Sequence, residues 1–282
     1  MSDGPITDVN QLKVVDLATA AAIQSACGIP SRAAPTLRME TAAPAAITKP
    51  GSERWPVKTG QDADRKQVGK NVINGKDLGA GIVPATVEEL ISIPRPPGLI
   101  VLTADPPAFQ HKRSQPVETT IWQVDGTITV LNQEADGDYH LVVQGASGAT
   151  MIAEVPTPTK PFIGDSPWLA NIAAARQAVN DKLVKTLSPH DFVLPAEGKK
   201  LVPRESFSAA PSDPHVAATL QTRGSFVTPS GAEEAAMLTF QTAVPATKVR
   251  ITGVGFFDRA HGATGAAPNV IELHPVLKIV WL

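Results

Sequence analysis

Three observations predict a mainly-β protein. The 282-residue chain carries 21 glycines and 26 prolines, enough to cut it into short elements and to keep long helices from dominating. From residue 116 onward, apolar residues alternate with polar ones, the period of a half-buried strand. One clear helical stripe, at 168–183, interrupts that alternation.

The elements follow in chain order. Residues 9–27 (VNQLKVVDLATAAAIQSAC) read as an amphipathic helix, with Val9, Leu12, Leu17 and Ile23 near one side and Asp8 or Asn10 as cap. Residues 28–80 read as extended chain, because prolines recur every few residues and the polar stretch 58–80 has no sustained period. Thr86 and Glu89 then match a capping box opening a short helix that Pro94 ends. PRPPG and ADPP beside it are stiff, polyproline-like connections.

In TTIWQVDGTITVL, residues Trp122, Val124, Ile128 and Val130 alternate with polar neighbours, and Gly126 in mid-run predicts a bulge or bend. YHLVV and TMIAEV, joined by QGASGA, predict a hairpin that pairs Val143 with Met151 and sets His140 near Glu154 on the face opposite the apolar one. Ser166 as cap and Pro167 at the first position open a helix whose stripe is Trp168, Ile172, Ala175, Val179 and Leu183. Residues 188–246 are Pro- and Ala-rich with modest strand signals, the texture of an insertion. TKVRITGVGFFD and NVIELHPVLKIVWL close the chain as two strong strands, with Pro275 marking an edge position or a bulge.

That order is long bent strand, strand, strand, helix, insertion, strand, strand. It is the element sequence of an OB-like five-stranded barrel with one helix between strands 3 and 4. The expected organisation is an N-terminal helix and Pro/Ala-rich extended segment over 1–52. An OB-like β domain over 53–282 follows, with its insertion at 188–246 before strand 4.

ERWPVKTGQDAD, DGDYHLVVQGASGATMIAEVP and ITGVGFFDRAHGATGAAPNVIELHPVLKI together resemble a family of uncharacterised bacterial proteins. Its members pair an RW-x-VKT start with a GVGFFD-xx-HG-xx-G-x-APN-x-IELHPV ending. The resemblance covers about residues 53–187 and 247–282 and implies an OB-like barrel. It brings no activity and no catalytic residue with it.

Composition narrows the function classes. With 25 basic and 27 acidic residues the net charge is -2, so non-specific nucleic-acid binding is not expected. The single Cys27 excludes a disulfide framework and a cysteine-rich zinc site. No apolar run of about 20 residues exists to span a bilayer. Lys13 and Asp16 interrupt residues 9–27, and no basic segment precedes them, so no signal peptide is expected. A soluble protein is the expectation, with the cytoplasm favoured. A protein partner or self-assembly suits the extended segments.

The densest polar cluster runs from Asp258 to Pro275. Asp258, His261, Glu272 and His274 offer carboxylates and imidazoles that suit a divalent metal, the one cofactor the sequence suggests. The spacing also fits loop hydrogen bonding by His261 and a solvated Glu272–His274 pair, and that is the expectation adopted. Asp136, Asp138 and His140 form a second group, read as a Gly-Asp turn entering a strand. Cys27 reads as a small buried thiol, and Trp122 and Phe256 as core. No nucleophile elbow, phosphate loop or dinucleotide fingerprint occurs. The function expected is a non-enzymatic binding or interaction module. The alternatives are a metal-dependent hydrolase, of phosphodiesterase or nuclease type, and a structural or assembly protein.

Overall fold

A computed structural model describes residues 4–30, 54–96, 110–134, 137–158, 163–186, 201–202, 223–227, 233–237, 240–258 and 263–282. Strands β1 (Val72–Ile73) and β2 (Lys76–Asp77) form a small ribbon. The main sheet uses β3 (Ile82–Ala85), β4 (Ile121–Gln133), β5 (Tyr139–Gln144), β6 (Thr150–Val155), β10 (Phe240–Phe257) and β11 (Ile271–Trp281). Its order is β10-β11-β6-β5-β4-β3, and β10 also pairs with β4. Hydrogen bonds therefore run in a ring through β4, β5, β6, β11 and β10, with β3 attached outside it. Between β6 and β10, β7 (Leu201–Val202), β8 (Arg223–Val227) and β9 (Glu233–Met237) make a separate three-stranded sheet. The fold is mainly sheet.

The ring closes because β4 is long enough to serve several neighbours. It pairs with β10 along most of its length, with β3 at 121–124 and with β5 at 127–133. Gly126 is where this becomes possible: a Cβ there would lie 2.6 Å from Val143 Cγ1 and 3.0 Å from the Gln144 carbonyl oxygen. A register shift between Ile128 and Val130 follows, so the buried apolar position passes to Leu131 while Val130 is only half-buried.

The hairpin has the expected register, with Val143 opposite Met151 and His140 opposite Glu154. Strand β11 lies between β10 and β6, so Pro275 marks a bulge rather than an edge. The β10–β11 register slips on both sides of Gly253.

Helices differ from expectation mainly at their ends. The N-terminal segment is two pieces: Asp8 caps a 3-10 turn at Val9–Gln11, and Asp16 caps α1 (Leu17–Ala26). Between them Val15 donates a backbone bond to the Ile82 carbonyl, which interrupts any continuous helix. Within 28–80, which was expected to be extended, WPVKT forms α2 (Trp55–Thr59), with Pro56 in its first turn and Gly60 ending it. The Thr86–Glu89 capping box is present and opens α3 (Val87–Ile91). Helix α4 (Leu169–Lys182) buries its expected stripe, but Trp168 occupies the cap position, and Ser166 accepts a bond from the Trp168 amide.

Leu141, Val143, Met151, Ala153, Val155, Ile271 and Leu273 join the main hydrophobic core with the α4 stripe and Trp122. Among the described residues, no helix is long and apolar enough to cross a membrane.

Candidate functional site

Strand alternation decides which polar groups meet. His140 opposes Glu154 across the hairpin, and β6 and β11 run parallel with Ile152 beside Glu272 and Ala153 beside Leu273. With the odd-numbered side chains committed to the core, His140, Glu154, Glu272 and His274 share the other face with Val142 and Ile152. That face is covered. Helix α2 packs on β11, and Gly265 of the 263–270 connection lies so close to Val142 that a Cβ would overlap it.

The Glu272–His274 pair expected to be solvated is therefore buried, at 2% and 0% exposure. The prediction failed because strand period shows which side a residue is on, not what covers that side.

At the centre is the Glu154 carboxylate. Its Oε1 is 3.2 Å from His140 Nδ1, and its Oε2 is 2.7 Å from His274 Nδ1. His140 Nδ1 is also 3.1 Å from Glu134 Oε1, and its Nε2 is 3.0 Å from the Thr264 carbonyl oxygen. His274 Nε2 lies 3.4 Å from Asp138 Oδ2, and Asp138 Oδ1 accepts the Thr157 amide at 3.2 Å. The His274 contacts are close but not aligned as hydrogen bonds, and they are ion-pair contacts. Lys58 Nζ reaches in from α2, 3.6 Å from Asp258 and 3.9 Å from Glu154, above the Phe256 ring. Neither oxygen of Glu272 has a hydrogen-bond partner among the described residues.

Electrostatics follows from crowding charges in a dry place. Burial opposes the charged form of His140, yet hydrogen bonds and charges from Glu134 and Glu154 raise its pKa to about 10. Burial likewise opposes charge on His274, and Glu154 and Asp138 outweigh it, so its pKa is raised. Burial would raise Glu154, but His274, Lys58 and His140 hold it well below the ordinary carboxylate range. Glu272 goes the other way: burial, then the charges of Glu154, Asp258 and Glu134, push it well above that range.

A second buried network holds α2 over this face. Arg54 binds both Glu118 oxygens at 2.7 Å, donates to the Phe257 carbonyl, and stacks over Phe256 at 4.8 Å. Glu118 also accepts the Phe257 and Ser114 amides. Arg113 binds both Asp62 oxygens and the Val57 carbonyl. These bonds fix α2, and with it Lys58, against the end of β10. On the other side, Asn269 donates to the Leu90 and Ile93 carbonyls, and Val270 sits at φ 54 just before Glu272's strand. A β-branched residue there is strained, a feature concentrated at functional sites.

No protein-family model, curated protein or solved structure matches this chain.

Of the sequence candidates, Asp258, Glu272 and His274 come together here, and His261 lies outside the described residues. Asp138 and His140, read as turn chemistry, join the same cluster, while Asp136 lies outside the described residues. Glu154, Glu134 and Lys58 were not singled out as ligands; the signal for Glu154 was its place opposite His140 in the hairpin. Cys27 is buried, and burial pushes its thiol up to about 12, so it is no nucleophile at neutral pH.

The donor set suits a first-row divalent metal, which takes imidazole nitrogen and carboxylate oxygen at about 2.0–2.2 Å. Asp138, Glu154 and His274 offer ligand atoms all within 4.8 Å of one another, as do Glu134, His140 and Glu154. His140 has a fixed outer contact on Thr264, the arrangement that orients a ligating ring.

Proposed function

We propose that this chain is a binding module on an OB-like barrel and that its ligand is a divalent cation held by Asp138, Glu154 and His274. The barrel reading is supported by the ring order and by helix α4 lying in the chain between the third and fourth ring strands. The observation that carries the cation reading is Glu272, a carboxyl 2% exposed beside that cluster, with both oxygens unpartnered among the described residues. Buried anionic capacity of this kind is costly unless a cation or a proton meets it.

The test is metal content and thermal stability of the purified protein. Stoichiometric zinc or manganese, with a melting temperature that rises on adding the ion and no longer does so in His274→Ala, supports the reading. Metal-free protein with no shift from either ion overturns it. The second reading, a metal-dependent hydrolase, is favoured by Lys58, whose ammonium beside Asp258 and Glu154 could meet a developing negative charge. Metal-stimulated cleavage of a phosphodiester, lost in Lys58→Met, would select it. The assembly reading rests on the extended Pro-rich segments, much of which lie outside the described residues, and a solution mass measurement decides it.

A further inference from the structure

We propose that the cluster holds two divalent cations, bridged by Glu154, one between Oε1, His140 and Glu134 and the other between Oε2, His274 and Asp138. This rests on the cation reading above and goes beyond it in number and arrangement.

The geometry divides around one carboxylate. Each Glu154 oxygen faces its own imidazole nitrogen, at 3.2 Å for His140 and 2.7 Å for His274, and each imidazole has one further carboxylate beside it. Adjacent ligand atoms on an octahedron with bonds of about 2.1 Å are about 3.0 Å apart, and on a tetrahedron about 3.4 Å. The two contacts of His140 Nδ1, at 3.1 and 3.2 Å, fall on those edges. At His274, Glu154 meets Nδ1 and Asp138 meets Nε2, so an ion there takes one ring nitrogen and the ring must turn to bring both carboxylates onto it, from ligand atoms that lie within 4.8 Å of one another. Two-metal centres hold their ions about 3.5–4 Å apart, a separation that a carboxylate giving one oxygen to each metal can span.

Charge favours two ions over one. With both rings neutral, as metal binding requires, Glu134, Asp138, Glu154 and Asp258 stand against Lys58 among the described residues. One divalent cation leaves that set negative and the Glu272 carboxyl unmet. The independent sign that charge is missing is Glu272, nine-tenths buried and more, with no hydrogen bond to either oxygen among the described residues. It stands beside Ile152 in the parallel β6–β11 register, on the face it shares with Glu154 and His274.

The experiment titrates metal-free full-length protein with Mn2+, by calorimetry and by electron paramagnetic resonance. Two ions per chain with an exchange-coupled signal are expected. His140→Ala should bind one ion with the coupling lost. Glu134→Gln, at the more exposed rim of the cluster, provides a variant less apt to unfold. It should weaken one of the two sites tenfold or more. One ion per chain in the wild type, or two without coupling, overturns the bridged pair and leaves the single-cation reading standing. No bound ion overturns both, and the cluster is then a proton-neutralised ion-pair network.

Discussion

His140 and Glu154 are register partners on neighbouring strands, and their side chains meet at 3.2 Å on the face turned from the hydrophobic core. An alternation that would ordinarily send both groups to water instead sends them beneath α2 and the 263–270 connection. The chemistry of the site follows from that covering.

Glu272→Gln should stabilise the metal-free protein at pH 8. The folded pKa of Glu272 is raised by burial and neighbouring carboxylates. Its contribution is therefore fully present below the unfolded value of about 4.3 and is lost as pH rises through the folded pKa. Glutamine removes that loss. The gain should be on the order of 1–3 kcal/mol, the cost of a stranded buried group, and should vanish near pH 4. Urea denaturation at both pH values in the presence of chelator checks it; a variant less stable at pH 8 contradicts it.

His140 gives the metal-free protein a second pH dependence. Its folded pKa of about 10 lies above the unfolded value of about 6.5. The stability it contributes is fully present below pH 6.5 and drains away as pH rises through 10. Melting temperatures between pH 6.5 and 10 should fall more steeply for the wild type than for His140→Asn. Parallel slopes would remove the imidazolium from the account.

Glu118→Ala should cost about 3–5 kcal/mol, because it leaves the Arg54 guanidinium buried without its anion and strips two amides of their acceptor. Chemical denaturation measures this. A loss below 1 kcal/mol would mean that water replaces the carboxylate and that the clamp is dispensable.

Val270→Asn should raise stability by about 1 kcal/mol, since asparagine tolerates φ 54 far better than a β-branched residue. If the strain serves the site, cation affinity should fall in the same variant. Calorimetry on the folded protein reads that second effect.

Replacing residues 188–238 by a short Gly/Ser link should leave a cooperative unfolding transition. Strands β7, β8 and β9 pair only with one another among the described residues, and β10 begins at Phe240, where it pairs with Gln133. Loop closure depends weakly on length. Loss of the transition would show that this segment belongs to the main core.

The hairpin, the capping box and the α4 stripe were legible because each is local: a register, a four-residue spacing, a helical period. Asp258, Glu272 and His274 were legible as a group for the same reason. Their burial was not, because it depends on α2, some 200 residues earlier in the chain, held by Arg54 and Glu118. WPVKT reads as broken chain when its proline is taken as a stop, whereas a proline in the first turn starts a helix. Glu154 and Lys58 were hidden by chain distance, each unremarkable until β11 brings His274 to one and Phe256 lies beneath the other.

The parallel pairing of β6 with β11 has a kinetic consequence. Ala153 and Leu273 lie 120 residues apart in the chain, so their pairing is a contact of long sequence separation and is expected late. Glu154 comes from one of those strands and His274 from the other. A cation can thus grip both only once the search is over. It should act as a latch rather than a guide: adding it should slow unfolding and leave the refolding rate unchanged.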